Sequence, residues 1–258
     1  MTRLRQQVLP PLVTVVLIAA AWVFATTGGR TEDYILPSPG SVFAALGDNW
    51  SDRLGPATWV TLAETLAGMA LGIAAALLIG VAAGLLPVVG NAFSPLLVAS
   101  QSIPTIVIGP VFTIALGYGM APKVLVVALA CFFPVAMNLL SGIRSADPVL
   151  IDTMRSLHAS RSALFWSVRF PSALPSAFAG LRITATYAPV AAVFSEYTGS
   201  TDGLGYLLLQ AVPRLQTDFV FALVIVLTVM SAALLLTVTA LERLCCPWNA
   251  PRQHRKES

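Results

Sequence analysis

Long apolar runs separated by short polar segments dominate this chain. Six stretches, at about 8–27, 60–86, 95–117, 122–141, 172–196 and 219–241, each supply the roughly 20 mainly apolar residues that one crossing of a bilayer needs. The pattern predicts six helices. The outer segment Gly28–Pro56 is polar and rich in Pro and Gly, and reads as a linker between a first helix and a five-helix core. Between the last two runs, the Leu204–Val212 stretch mixes apolar and small residues and predicts a short interfacial helix ended by Pro213.

Composition sharpens this picture. Hydrophobic residues make up 57% and charged residues only 10%, against about a quarter charged in a soluble domain. The net charge of +3 does not indicate nucleic-acid binding, because the basic residues sit in loops and at helix ends. One side collects Arg3, Arg5, Arg144, Arg155, Arg161, Arg169, Arg243, Arg252, Arg255 and Lys256; the other holds Arg30, Arg53, Lys123 and Arg214. The positive-inside tendency therefore predicts that both termini and the 142–171 loop are cytoplasmic. Arg3 and Arg5 followed by Val8–Ala25 resemble a signal peptide, but the run is long and no small-residue cleavage site follows, so an uncleaved first helix is expected. Cys131, Cys245 and Cys246 form no spaced metal set, and no disulfide is expected on a reducing face.

Gly68, Gly72, Gly80 and Gly84 fall in two small-xxx-small pairs that suit close helix approach, within the subunit or between subunits. Pro104, Pro110, Pro134 and Pro189 lie inside apolar runs, where each can bend or break a helix. Charges in the spans are candidates for function. Glu64 and Glu196 lie near outer helix ends, where snorkelling to the interface is an alternative. Arg182 lies deeper and requires helix carbonyls or a wet vestibule. With Thr184, Thr186, Tyr187 and Ser195 it makes 172–196 the most polar core helix, and Arg182, Thr186, Tyr187 and Glu196 are the pathway candidates. Gln101, Ser102 and Asn138 are further wall residues.

The most informative segment is DTMRSLHASRSALFWSVRFPSALP (152–175). A helix is expected from Pro148 with Ile151, Met154 and Leu157 at helical spacing, a break at His158, and a second helix capped by Ala159 and Ser160. Leu164, Phe165 and Val168 give that second helix its apolar face, and Pro171 is expected to end it and start the next span.

This segment resembles the EAA loop of ABC importer permeases, the inner-membrane components of binding-protein-dependent transport. The family pattern, E-A-A, three residues, G, nine residues, I, one residue, L-P, aligns with Asp152-Thr153-Met154, His158, Val168, Phe170 and Pro171. Asp152 keeps the acid and Val168 and Phe170 keep apolar character, whereas His158 stands in place of the turn glycine. The resemblance extends over about 58–242, through TWVTLAETLAGMALG (58–72), SIPTIVIGPVFTIALGYG (102–119) and AGLRITATYAPVAAVFSEYTGS (179–200). Within the family these are similar to the nitrate, sulfonate, taurine and pyrimidine-precursor branch. TDGLGYLLLQAVPRLQTDFVFA (201–222) and LERLCCPW (241–248) are most similar to permeases for the thiamine pyrimidine precursor.

What the resemblance implies is an all-α type I importer fold of six transmembrane helices: residues 1–57 form the first helix and linker, 58–242 the core and 243–258 a cytoplasmic tail. It implies a homodimer, a cytoplasmic ATPase dimer that alone uses ATP, and an external substrate-binding protein. Asp152, Arg155, Leu157, His158, Ala159, Ser160 and Arg161 would then form the ATPase-coupling loop. No cofactor is expected on the chain itself, which has no G-x-x-x-x-G-K-[ST] phosphate loop. His158 and His254 are the only histidines, both expected at the cytoplasmic surface, so no catalytic set is evident. The rival reading is an ion-coupled secondary transporter, which would usually show inverted repeats and midplane carboxylates.

Overall fold

A computed structural model describes residues 2–27, 32, 34–100 and 104–249. Arg30, Gln101, Ser102, Arg252, His254, Arg255 and Lys256 lie outside the described residues. The described residues form eleven α-helices and no strand: α1 (Thr2–Thr26), α2 (Pro39–Asp48), α3 (Gly55–Leu85), α4 (Pro87–Ser100), α5 (Thr105–Leu116), α6 (Met120–Arg144), α7 (Pro148–Ser156), α8 (Arg161–Leu164), α9 (Phe170–Glu196), α10 (Leu204–Ala211) and α11 (Thr217–Cys245).

Among the described residues, four continuous helical runs are long and apolar enough to cross a membrane alone: Trp50–Leu85, Met120–Arg144, Arg161–Glu196 and Thr217–Cys245. Two of them incorporate a π-helical turn, Trp50–Leu54 before α3 and Phe165–Arg169 before α9. A π turn widens the backbone ring by one residue without breaking the run of hydrogen bonds. Pro171 therefore does not end the cytoplasmic helix as expected. It sits at the junction of the π turn and α9, inside a continuous helical run, so the bond its missing N–H cannot make is lost without ending the helix.

The expected span 95–117 is divided instead into α4 and α5, with Pro104 in extended geometry as the N-cap of α5. The other prolines in apolar runs, Pro110, Pro134 and Pro189, lie inside continuous helices. The Gly28–Pro56 segment is also more structured than a linker. Ser38 caps α2 by accepting from the Ser41 amide at 3.1 Å, and Pro39 opens the helix. Val42 and Ala45 of α2 enter a core shared with Leu204, Leu207 and Ala211 of α10 and Phe219 of α11.

At the centre stands α6, in which no residue from Pro122 to Leu140 is exposed. It is flanked by α3 running parallel to it and α9 running antiparallel. Gly68 and Gly72 of α3 lie against Val127 and Ala128, and Gly80 lies against Leu139. At Gly72 a Cβ would overlap the Ala128 carbonyl, so only glycine allows the two backbones to approach this closely. The small-residue stripe thus serves packing inside the subunit. On the other side, Gly142 meets Ala173 and Gly180 meets Pro134.

The outward faces are apolar, with Leu78, Ile114 and Leu236 each at least 70% exposed. Such surface is stable against lipid hydrocarbon and not against water, so these faces define the perimeter of a membrane bundle.

Candidate functional site

One end of the bundle is fixed by a hairpin. Asp147 caps α7, its side chain accepting from the Val149 amide at 2.8 Å. At the far end, the His158 amide bonds the Arg155 carbonyl at 2.9 Å and the Ala159 amide reaches back to the Met154 carbonyl at 3.0 Å. These two crossed bonds define a Schellman C-cap, whose closing residue adopts the left-handed conformation. That residue is His158, at φ +58°. The position where the family pattern has glycine thus keeps the geometry that favours glycine, although histidine occupies it. Histidine enters this region more readily than most residues.

Two residues later the chain turns helical again. Ser160 caps α8, accepting from the Ala163 amide at 3.2 Å. One side of the hairpin packs under the bundle: Leu164 and Val168 are buried with Ala146, and Ile151 and Met154 lie against them. Phe165 inserts among Leu139, Ile143 and Ala173. Leu157, at helical spacing with Ile151 and Met154, is 72% exposed at the apex. Asp152, Arg155, His158, Ser160 and Arg161 are exposed with it, and Ala159 is half-buried. Arg155 pairs with Asp152 at 3.3 Å, but both side chains are open to solvent and such a pair contributes little.

Replacing His158 tests the turn. His158→Val, β-branched, is expected to speed amide exchange at Ala159 by about tenfold, because a left-handed residue of that shape costs on the order of 1–2 kcal/mol. His158→Gly is expected to leave exchange within about threefold, since relief of strain is offset by greater freedom in the unfolded chain.

The polar residues of α9 divide between two faces. Thr184 and Ser195 are buried and bond carbonyls of their own helix, at 2.9 Å to Leu181 and 2.7 Å to Ala192. Thr186 and Tyr187 are exposed, beside Ile183. Arg182 is half-buried and pairs with Glu242 of α11. Asn138 donates to the Pro134 carbonyl at 2.8 Å within its own helix.

At the opposite end of the bundle a buried polar network replaces the snorkelling alternative. Glu64 of α3 is 2% exposed and Glu196 of α9 is 1% exposed. Lys123 of α6 contacts Glu64 at 2.7 Å and Ser200 at 2.7 Å. Thr61 donates to Glu196 at 2.6 Å and accepts from the Leu204 amide at 2.9 Å. The Gly205 amide donates to the other oxygen of Glu196. Gly203, at φ +109°, brings the chain over Glu196, and a Cβ there would run into the carboxyl group. Glu196 therefore holds the start of α10 rather than standing on an open face. The sequence pattern gave Lys123 only a topological role; its signal as a partner is that it opens α6 beside the outer part of α3, where Glu64 lies.

Among the described residues no group of three or more His, Cys, Asp or Glu side chains could hold a metal ion.

Residues 68–247 match the family described as binding-protein-dependent transport system inner membrane component. A probable ABC transporter permease of Haemophilus influenzae is 34% identical, over 90% of this chain and 94% of that protein. The formylaminopyrimidine transport permease ThiX of Halalkalibacterium halodurans is 31% identical, over 94% and 97%. The taurine transport system permease TauC of Escherichia coli is 32% identical, over 97% and 93%. The crystal structure of an amino acid ABC transporter with histidines shares the fold, with a TM-score of 0.60 at 16% identity, over 83% of this chain and 99% of that one. An all-helical bundle with a capped hairpin beneath it, matched by these permeases over nearly its whole length, is a type I permease fold, and the chain belongs to the inner-membrane permease family of binding-protein-dependent ABC importers, in the nitrate, sulfonate and taurine branch.

Proposed function

We propose that the chain works as a homodimer that forms the translocation pathway for a small polar organic solute. A thiamine pyrimidine precursor ranks first, and an alkanesulfonate, taurine or nitrate second. A cytoplasmic ATPase dimer docks on the apex at residues 157–161, and an external binding protein delivers the solute. Both termini then face the cytoplasm. ATP is bound and hydrolysed by the partner, and this subunit binds no cofactor of its own.

The observation that carries this reading is the hairpin. Its inner side, through Leu164, Phe165 and Val168, is packed with Ala146, Leu139 and Ile143, while its apex is left exposed. A rigid element seated on α6 and continuous with α9 can convert a push at the apex into a tilt of two core helices. The exposed stripe of Ile183, Thr186 and Tyr187, next to the Arg182–Glu242 pair, supports α9 as a wall of the pathway. The relative named as a formylaminopyrimidine permease, similar over almost all of both chains, supports the first substrate. The taurine and aliphatic sulfonate relatives support the second.

Gentle solubilisation is expected to retain an ATPase with the permease, and the binding protein isolated with the complex should hold the pyrimidine. A ligand of another class on that binding protein overturns the substrate. Solute uptake into vesicles containing this chain alone overturns the ATP-driven mechanism.

A further inference from the structure

The hairpin and the inner end of α3 enclose a cleft of about 330 Å³, lined by Gly84, Leu85, Ala159, Leu164, Arg155, Arg161 and Arg169. Three arginines line this space; Arg155 is already paired with Asp152 at the solvent side, which leaves Arg161 and Arg169 as the arginines without a carboxylate partner among the described residues. Arg169 Nε is buried without a hydrogen-bond partner there. A buried donor of a charged group left unsatisfied is costly, and native structures rarely keep one without a ligand or water to meet it. Arg169 also lines an adjoining cleft with Arg144, whose guanidinium donates to the Gly90 carbonyl at 3.3 Å. The positive charge is therefore concentrated on one corner of the bundle.

The level of the cleft identifies what meets it. Gly84 and Leu85 are the last turn of a membrane-crossing helix, so the cleft opens where lipid headgroups lie. Leu86 and Val88, just beyond, are 56% and 79% exposed. They follow directly on Leu85 in the chain and present exposed apolar surface. Convergent arginines at an inner interface with an apolar margin suit a phosphodiester carrying acyl chains. The volume falls in the range of small-ligand clefts.

We infer that this arginine cleft binds the phosphate headgroup of an anionic phospholipid, with Arg169 as its innermost contact and its acyl chains along Leu86 and Val88. A lipid seated there bridges the hairpin to α3 and fixes the hairpin's resting position. The inference does not depend on ATPase docking, because its thermal readout uses the purified permease alone.

Short-chain phosphatidylglycerol added to the detergent-solubilised full chain should raise Tm by on the order of 4 °C. Phosphatidylcholine of the same chain length and inorganic phosphate should not. Arg169→Gln should abolish the shift; if that variant does not fold, Arg161→Gln at the exposed rim should reduce it severalfold. An equal shift with phosphatidylcholine, or with phosphate alone, overturns the lipid assignment. So does a full shift in the folded arginine variants. Protection of these arginines from phenylglyoxal by the ATPase but not by phosphatidylglycerol vesicles also overturns it and gives the cleft to the protein partner.

Discussion

Lys123→Met is expected to lower stability by about 3–5 kcal/mol, the usual result of removing one partner from a buried ion pair. Lys123 contacts Glu64 at 2.7 Å, and both side chains are nearly withdrawn from solvent. Glu196 lies in the same field, close enough to interact with both. Without the ammonium group, two carboxyls face each other in a space that water does not reach. The uncompensated charge falls on the points that join α3, α6, α9 and α10. In detergent the loss should appear as a fall in Tm of roughly 10 °C. Glu64→Gln in the same chain should recover most of it, because neutralising both partners removes the uncompensated charge. A single variant that melts with the parent would show that the network does not hold the outer end together.

Ala159→Glu is expected to abolish substrate-stimulated ATP hydrolysis in the reconstituted complex, a loss of tenfold or more, while membrane insertion and Tm stay near those of the parent. Ala159 follows the left-handed His158 and precedes the Ser160 cap, so its side chain sits at the apex of the hairpin. It is half-buried in a turn closed by backbone bonds alone. A glutamate there changes the shape of the apex and sets a carboxylate beside Arg155, Arg161 and Arg169, which removes positive charge that a protein partner would meet. Stimulated hydrolysis at the parent rate would place the docking surface elsewhere.

Most of the fold follows from apolar run length, and α6, α9 and α11 lie where those runs predict. The features that do not follow share a cause: each depends on contacts distant in sequence. The ten-residue α2 is too short and too mixed to stand out, and it is fixed by Val42 and Ala45 meeting α10 and α11. The continuity of α8 into α9 rests on a π turn, which leaves no compositional mark. The break in the third apolar run does carry a signal, Pro104. At the hairpin, the left-handed residue was legible through the family register, because the turn geometry persists under a changed side chain. The Lys123–Glu64 pair was not, since the two are 59 residues apart and each reads as a helix-end charge when taken alone. Glu242 was likewise hidden as the partner of Arg182 until α9 and α11 were placed side by side.

Central to this account is that the exposed apex receives force from a separate ATPase. A single cysteine at Leu157, with Cys131, Cys245 and Cys246 replaced, provides the direct measurement in membrane vesicles of known sidedness. The account predicts that a short bifunctional reagent joins residue 157 to the ATPase, and that a membrane-impermeant thiol reagent reaches it from the cytoplasmic side only. Labelling of residue 157 from the external face, or a complex active in transport with no cross-link to the ATPase, would contradict it.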